Sequence, residues 1–280
     1  MRVLILGGDG MLGHKLLATL GQDHVTRVTL RQPLGAYAQF GLFDAGNSFP
    51  DLDARSLEAL VATFAAFQPE VVVNCIGLVK QRAAAKDDAI ASLEINALLP
   101  HRLRELCQAA GARLIHISTD CVFSGSRGNY RENDVSDAED LYGRTKFLGE
   151  VTASPALTLR TSIIGRELSR KQGLVEWFLA QSGKIRGFKR AIFSGFSTAE
   201  FSRIIKLLIE RFPNAHGLYQ VSAEPIDKFT LLGLLRDRYK QDVEIVPDEA
   251  VVIDRSLDST RFQAEFGYRP PSWPEMIASL

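Results

Sequence analysis

The chain has 280 residues, enough to bury a large core as one domain or two, and its 46% hydrophobic and 24% charged residues are ordinary for a globular protein. Lys plus Arg (33) equal Asp plus Glu (33), so there is no net charge to mark a nucleic-acid or membrane partner. Cys75, Cys107 and Cys121 are scattered, and neither they nor His14, His24, His101, His116 and His216 show disulfide or metal-ligand spacing, so no metal is expected.

In chain order, buried strands are expected at residues 3–6, 25–30, 71–74, 113–118 and 157–161. Their β-branched, nearly continuous apolar runs suit parallel strands covered on both faces. The first of these runs is too short for a signal core or a membrane span, and with unpaired cysteines this predicts a cytoplasmic protein. Amphipathic stretches at 56–67 and 90–109 predict helices between the strands. The alternation predicts right-handed βαβ units in an α/β, doubly wound parallel sheet. From about Gly165 helices are expected at 173–181, 199–211 and 228–239. Short strands at 191–194 and 217–221 separate them, which predicts a smaller C-terminal α/β lobe.

Directly after the first strand stands Gly7-Gly8-Asp9-Gly10-Met11-Leu12-Gly13, opening a helix. Glycine is needed where the chain turns sharply, where its backbone approaches a pyrophosphate, and where helix packs close on strand. The helix N-terminus then offers oriented N–H groups to phosphate. This context predicts dinucleotide binding by Gly7, Gly10, Met11, Leu12 and Gly13; Asp9, awkward beside phosphate, is expected to cap the helix. The second strand ends Thr29-Leu30-Arg31-Gln32 without a carboxylate for a ribose. Arg31 suits a 2′-phosphate, so NADP(H) is preferred over NAD(H), which stays open.

Tyr142 and Lys146 form Tyr-x-x-x-Lys, and positions i and i+4 share a helix face. A neighbouring cation favours phenolate and lowers a tyrosine pKa from about 10, making Tyr142 a general acid for a carbonyl oxygen. The strand before it ends Ser118-Thr119-Asp120, at the carboxyl edge where α/β sheets bind ligands.

Gly7-x-x-Gly10-x-x-Gly13, Ser118-Thr119-Asp120-Cys121-Val122-Phe123 and Tyr142-Gly143-Arg144-Thr145-Lys146 together resemble the extended short-chain dehydrogenase/reductases, nearest the dTDP-4-dehydrorhamnose reductase branch. Leu52-Asp53, Pro69 through Asn74, Glu94-Ile95-Asn96-Ala97, Leu159-Arg160-Thr161-Ser162, the run from Arg255 to Phe262, and Ser272-Trp273-Pro274-Glu275 extend the likeness over most of the chain. The resemblance implies a Rossmann sheet, with residues 1–165 binding the dinucleotide and 166–280 mainly the substrate. It implies Tyr142 as proton donor, Lys146 as the cation holding the nicotinamide ribose, and Thr119 as hydrogen-bond donor to the carbonyl. Asp53 is implied at the adenine, Asn74, Ile76 and Gly77 along the cofactor, and Ser162 by the nicotinamide.

The implied activity is NAD(P)H-dependent reduction of the 4-keto group of a nucleotide-linked 6-deoxyhexose, feeding surface polysaccharide such as O-antigen. The nucleotide-sugar substrate calls for cations, and Arg255 first, then Arg166, Lys189, Arg190 and Lys80, are the candidates, with Cys121 in the pocket wall. Asp120 is followed by Cys121 instead of the glutamate typical of the related dehydratases, which speaks for simple reduction. Lys15 stands where some relatives carry a metal-bridging glutamate, so a homodimer is expected to pair through the helices of 90–109 and 142–151. Two alternatives stand beside the reductase. One is a nucleotide-sugar 4-epimerase with tightly bound NAD; the other is a non-catalytic dinucleotide-binding regulatory subunit.

Overall fold

The computed structural model describes residues 1–78, 88–169 and 171–280. Seven strands make the main sheet: β1 (Arg2–Leu6), β2 (Val25–Thr29), β3 (Ser48–Phe49), β4 (Val71–Asn74), β5 (Arg113–Thr119), β6 (Ala156–Thr161) and β11 (Gly217–Gln220). Their order is β11-β6-β5-β4-β1-β2-β3. β1 pairs in parallel with both β2 (Leu4 opposite Arg27) and β4 (Ile5 opposite Val73), and β4 with β5 (Val73 opposite Ile115). The order reverses between β1 and β4, which is where a doubly wound sheet leaves a crevice at its carboxyl ends.

The strands expected at 3–6, 71–74 and 157–161 are buried along their length, Val3, Leu4, Ile5 and Leu6 having no exposed surface, whereas the one expected at 25–30 begins exposed at Val25 (62%) and is only half-buried at Arg27. On one face Leu4, Leu6, Val72 and Leu114 pack with Leu60 and Phe64 of the helix Leu57–Phe67 and with Leu99, Leu103 and Cys107 of the helix Leu99–Ala110. The helix Gly13–Leu20 packs on β1 and β2 and buries Leu16 and Leu20. Ser56 caps the helix Leu57–Phe67 by accepting from Ala59 N at 3.1 Å, as a serine before an apolar run should.

Two expectations are corrected. The helix read over 90–109 is not uniform: Ala89–Ser92 leads into a π-helical turn, Leu93–Leu98, before Leu99–Ala110. The strand read at 217–221 as part of the smaller lobe is β11, an edge of the main sheet beside β6. Local pattern gives a strand's period and length but not its partner.

The chain divides into two compact units that interleave along the sequence. The first comprises Met1–Ser118, Asp140–Leu159 and Ser202–Leu218, the second Thr119–Glu139, Arg160–Phe201 and Tyr219–Leu280, so position 165 falls inside the second. The second unit holds small sheets. β7 (Ile163–Ile164) pairs with β10 (Phe196–Ser197), and β8 (Gly183–Phe188) with β13 (Val243–Asp248). β9 (Ala191–Phe193) lies between β12 (Ile226–Asp227) and β14 (Ile253–Asp254). The helix Lys228–Tyr239, capped by Asp227 on Thr230 N at 2.8 Å, packs on β8 and β13. No helix among the described residues is long and apolar enough to cross a membrane.

Candidate active site

The first unit carries a cradle. Gly7 has φ +85°, a left-handed conformation that disfavours any side chain, and a Cβ there would sit 3.1 Å from Ile76 Cγ1. A Cβ on Gly13 would lie 2.1 Å from Gly7 O, and one on Gly8 2.5 Å from Val28 Cβ, so three glycines are imposed by close packing. The amides of Met11 and Leu12, at the mouth of the helix Gly13–Leu20, have no acceptor among the described residues, and no side chain caps that helix. Unsatisfied N–H groups on a helix N-terminus beside bare backbone fit a pyrophosphate. Asp9 does not cap this helix, because Leu12 occupies the cap position; its carboxylate accepts from Tyr37 OH at 3.3 Å instead.

Beside the cradle, β4 ends in Asn74, fully buried, whose side chain holds Ile76 N at 3.1 Å and faces His116 Nδ1 at 3.1 Å. Burial drives the His116 pKa well below its usual value, so this ring is neutral. Gly77 follows, with Asn96 Oδ1 3.6 Å from where its Cβ would be. Arg31 is exposed just past β2 and its charge is felt at Asp53. Asp53 is held in a fork by Arg55 (Nη2 to Oδ2 2.6 Å), which keeps its carboxyl below the ordinary range.

The helix Leu141–Leu148 carries Tyr142 and Lys146, and Asp140 caps it on Gly143 N at 2.8 Å. Lys146 is buried, 4% exposed, and its Nζ donates to Ile117 O at 2.7 Å. Among the described residues no carboxylate contacts this ammonium. Burial pushes its pKa down to about 8, with Glu150 and Cys75 opposing the shift, so at neutral pH it remains mostly charged.

Sequence reasoning passed over the residue that fixes this helix. Asn96, buried in the π-helical turn, binds Leu78 N (2.9 Å) and Leu78 O (3.0 Å) and reaches Thr145 Oγ1 at 3.3 Å. Close packing explains the glycine ending this helix, since a Cβ on Gly149 would lie 1.9 Å from Asn96 O. An asparagine between the apolar Ile95 and Ala97 of an amphipathic helical stretch was the available signal.

In the second unit Thr119 is buried, its Oγ1 donating to Asp120 Oδ1 at 3.1 Å and accepting from Cys121 N at 3.1 Å. Burial raises the Asp120 pKa against the opposing pull of Arg255 and of donors on Cys121, Thr119 and Ser162. Cys121 is pushed up to about 12, mainly by burial, and is a thiol at any working pH. Arg255 belongs to this group, with Nε on Phe123 O at 2.7 Å. Lys228, unremarked in the sequence, belongs too: its charge acts on Asp120 and Cys121. Arg166 does not join it; its Nε is held by buried Glu176 at 2.5 Å. Arg190 is exposed in the turn between β8 and β9. Lys80 lies outside the described residues.

Comparison with known proteins follows this geometry. The chain is 29% identical over 175 residues to methionine adenosyltransferase 2 subunit beta of Bos taurus, covering 60% of this chain and 48% of that protein. It is 32% identical over 150 residues to the dTDP-4-dehydrorhamnose reductase of Streptomyces griseus, covering 53% of this chain and 43% of that one. The chain thus spans about half the length of the curated relatives it matches. In fold it is similar to the dTDP-4-dehydrorhamnose reductase of Bacillus anthracis in complex with NADP, with TM-score 0.78 and 20% identity over 99% of this chain and 97% of that one. The family model described as RmlD substrate binding domain matches residues 1–180, more than half of the chain, which therefore belongs to that family.

Proposed function

We propose that the chain is a nicotinamide-dependent reductase of the 4-keto group of a nucleotide-linked 6-deoxyhexose. The observation that carries this reading is Lys146, an ammonium held inside the protein one helical turn from Tyr142, donating to Ile117 O and in contact with no carboxylate among the described residues. A buried charge without a contacting acid costs stability and fits a site that needs it.

The dinucleotide, when bound, supplies the hydride. The residues supply the rest. Gly7, Gly10 and Gly13 let the backbone approach a pyrophosphate, and the Met11 and Leu12 amides bind it. Asn74, Ile76, Gly77 and Ser162 are assigned to the cofactor's length, Asp53 to the adenine, and Arg31 to a 2′-phosphate, which favours NADP(H) over NAD(H). Lys146 holds the ribose and electrostatically stabilises the phenolate left when Tyr142 gives its proton to the carbonyl oxygen. Thr119 is assigned a hydrogen bond to that carbonyl. The relative from Streptomyces griseus, named for this reaction, and the NADP-bound structural neighbour support the assignment. Three free thiols fit a reducing, cytoplasmic setting, and the product would serve surface polysaccharide.

We also propose a homodimer. Ile90, Leu93, Leu98, Phe147 and Leu148 leave between 41% and 72% of their surface exposed on helices of the first unit, an apolar face suited to a second copy.

The likeness to methionine adenosyltransferase 2 subunit beta favours a second reading, a dinucleotide-binding regulatory subunit. One experiment separates them: NADPH and NADH oxidation against a panel of dTDP- and UDP-linked 4-keto-6-deoxyhexoses. Oxidation with one member, lost by at least about a hundredfold in Tyr142→Phe with dinucleotide affinity kept, establishes the reductase and its acid. Dinucleotide binding without oxidation of any member favours the regulatory reading. Tightly bound NAD retained through purification favours the epimerase.

A further inference from the structure

The reading above leaves unused the cations around the carboxyl that follows Thr119. Asp120 is buried, 6% exposed, with Oδ1 accepting from Thr119 Oγ1. Two half-buried cations act on it from either side of β9, whose Ile192 is paired with both Asp227 and Asp254. Lys228 follows β12, and its ammonium lies 4.4 Å from the centroid of the Phe193 ring. Arg255 follows β14; its stem packs on Gly125, where a Cβ would come within 2.9 Å of Arg255 Cγ, and its Nε is fixed on Phe123 O.

Among the described residues no carboxylate oxygen is in ion-pair contact with either cation. The acids beside them are occupied: Asp227 accepts from Thr230 N (2.8 Å) and Oγ1 (2.7 Å), and Asp254 from Ser256 N (2.9 Å). Two cations therefore stand against one buried carboxyl that hydroxyl and thiol neighbours already hold. Positive charge partly withdrawn from water without a contacting anion is costly unless an anion arrives.

We propose that Lys228, with Arg255, grips the diphosphate of a nucleoside-diphosphate sugar, which makes Lys228 a substrate-binding residue. A point charge and a planar fork, each just past the end of one of the two strands that flank β9, suit two adjacent phosphoryl groups, each carrying one charge. The Phe193 ring face lies against the ammonium itself, so the charge is presented with little freedom left to lose. The inference rests on the proposed substrate class, and it is tested apart from turnover.

The test is calorimetric titration of UDP, dTDP, UMP and uridine into wild type, Lys228→Met and Lys228→Arg, each saturated with NADP. Lys228→Met should weaken diphosphate binding by about tenfold or more, leave uridine and NADPH binding unchanged, and melt at or above the wild-type temperature. Lys228→Arg should recover most of the affinity. In turnover the Met variant should raise KM for the sugar nucleotide with kcat little changed. Diphosphate binding as tight in Lys228→Met as in wild type, failure of arginine to rescue, or a wild type that binds no nucleoside diphosphate overturns the inference. A Lys228-dependent diphosphate site in a protein that reduces no sugar would sink the reductase and leave this inference standing.

Discussion

Replacing Lys146 by methionine should stabilise the protein while abolishing its chemistry. The folded pKa of about 8 lies 2.5 below the ordinary 10.5 (10.5 − 8 = 2.5). At about 1.4 kcal/mol per pKa unit, the buried ammonium costs on the order of 3 kcal/mol at pH 7. Methionine removes that cost and fills the space, but forfeits the bond to Ile117 O, so a net gain of about 1–3 kcal/mol is expected. The pH dependence makes the test specific. Above pH 8 the folded protein has released this proton while the unfolded chain holds it to about 10.5, so wild-type stability from this residue rises with pH. The advantage of Lys146→Met should therefore shrink by about 1 kcal/mol between pH 7 and 9. Cys107 and Cys121, each pushed up to about 12, pull the other way above pH 9, but they do so in both proteins and cancel in the difference; Cys75, which feels the Lys146 charge, is removed from the comparison by making it in a Cys75→Ala background. Urea unfolding of the cofactor-free proteins across that range reads the effect directly. A variant no more stable than wild type at pH 7, or an advantage that does not narrow with pH, would refute the claim that this lysine carries a costly buried charge.

Other perturbations test the rest of the site. Gly13→Ala sets a Cβ against Gly7 O, so it should cost about 2 kcal/mol in urea unfolding and about tenfold or more in dinucleotide affinity. Arg31→Ala should weaken NADPH about tenfold and spare NADH; equal loss in both would remove Arg31 from the 2′-phosphate. Asp120 holds its proton in the folded state at pH values where the unfolded chain has lost it, so its contribution falls as pH rises through that window. Asp120→Asn should consequently match or exceed wild-type stability at pH 7, and a clear loss there would mean the carboxylate form is the one the fold favours. Phe147→Glu should yield monomers by light scattering; an unchanged dimer mass would move the interface elsewhere.

What could be read from the sequence follows the range of the interactions concerned. The buried strands and the glycine loop are local: an apolar run and a glycine spacing declare themselves without a partner, and the core of β1, β4 and β5 lies where those runs stand. Tyr142 and Lys146 lie four residues apart on one helix, so their common placement was legible as well. The place of β11 was not, because strand order depends on contacts distant in sequence. Arg166 stood behind Arg255 among the same candidates, and its pairing with Glu176 sets it apart in the fold. Lys228 was hidden for the same reason. It begins a helix behind a good N-cap and reads as a surface lysine until β9 brings it beside Phe193.

The enzyme and the regulatory subunit differ in what they ask of the interior. A subunit that only held a dinucleotide would need the cradle, made of glycines and free amides, and an exposed edge at Arg31 and Asp53. Lys146 could serve a ribose in either case. The cluster in the second unit has no such double use. A buried carboxyl whose pKa is raised and a lysine whose pKa burial lowers, with no carboxylate in ion-pair contact among the described residues, each weaken the empty protein and contribute nothing to holding a dinucleotide. Local rules are broken in this way chiefly where a site requires it. An anionic substrate handle settling on Lys228 and Arg255 accounts for the cations at once, and that favours a protein that turns over a sugar nucleotide over one that only senses its cofactor.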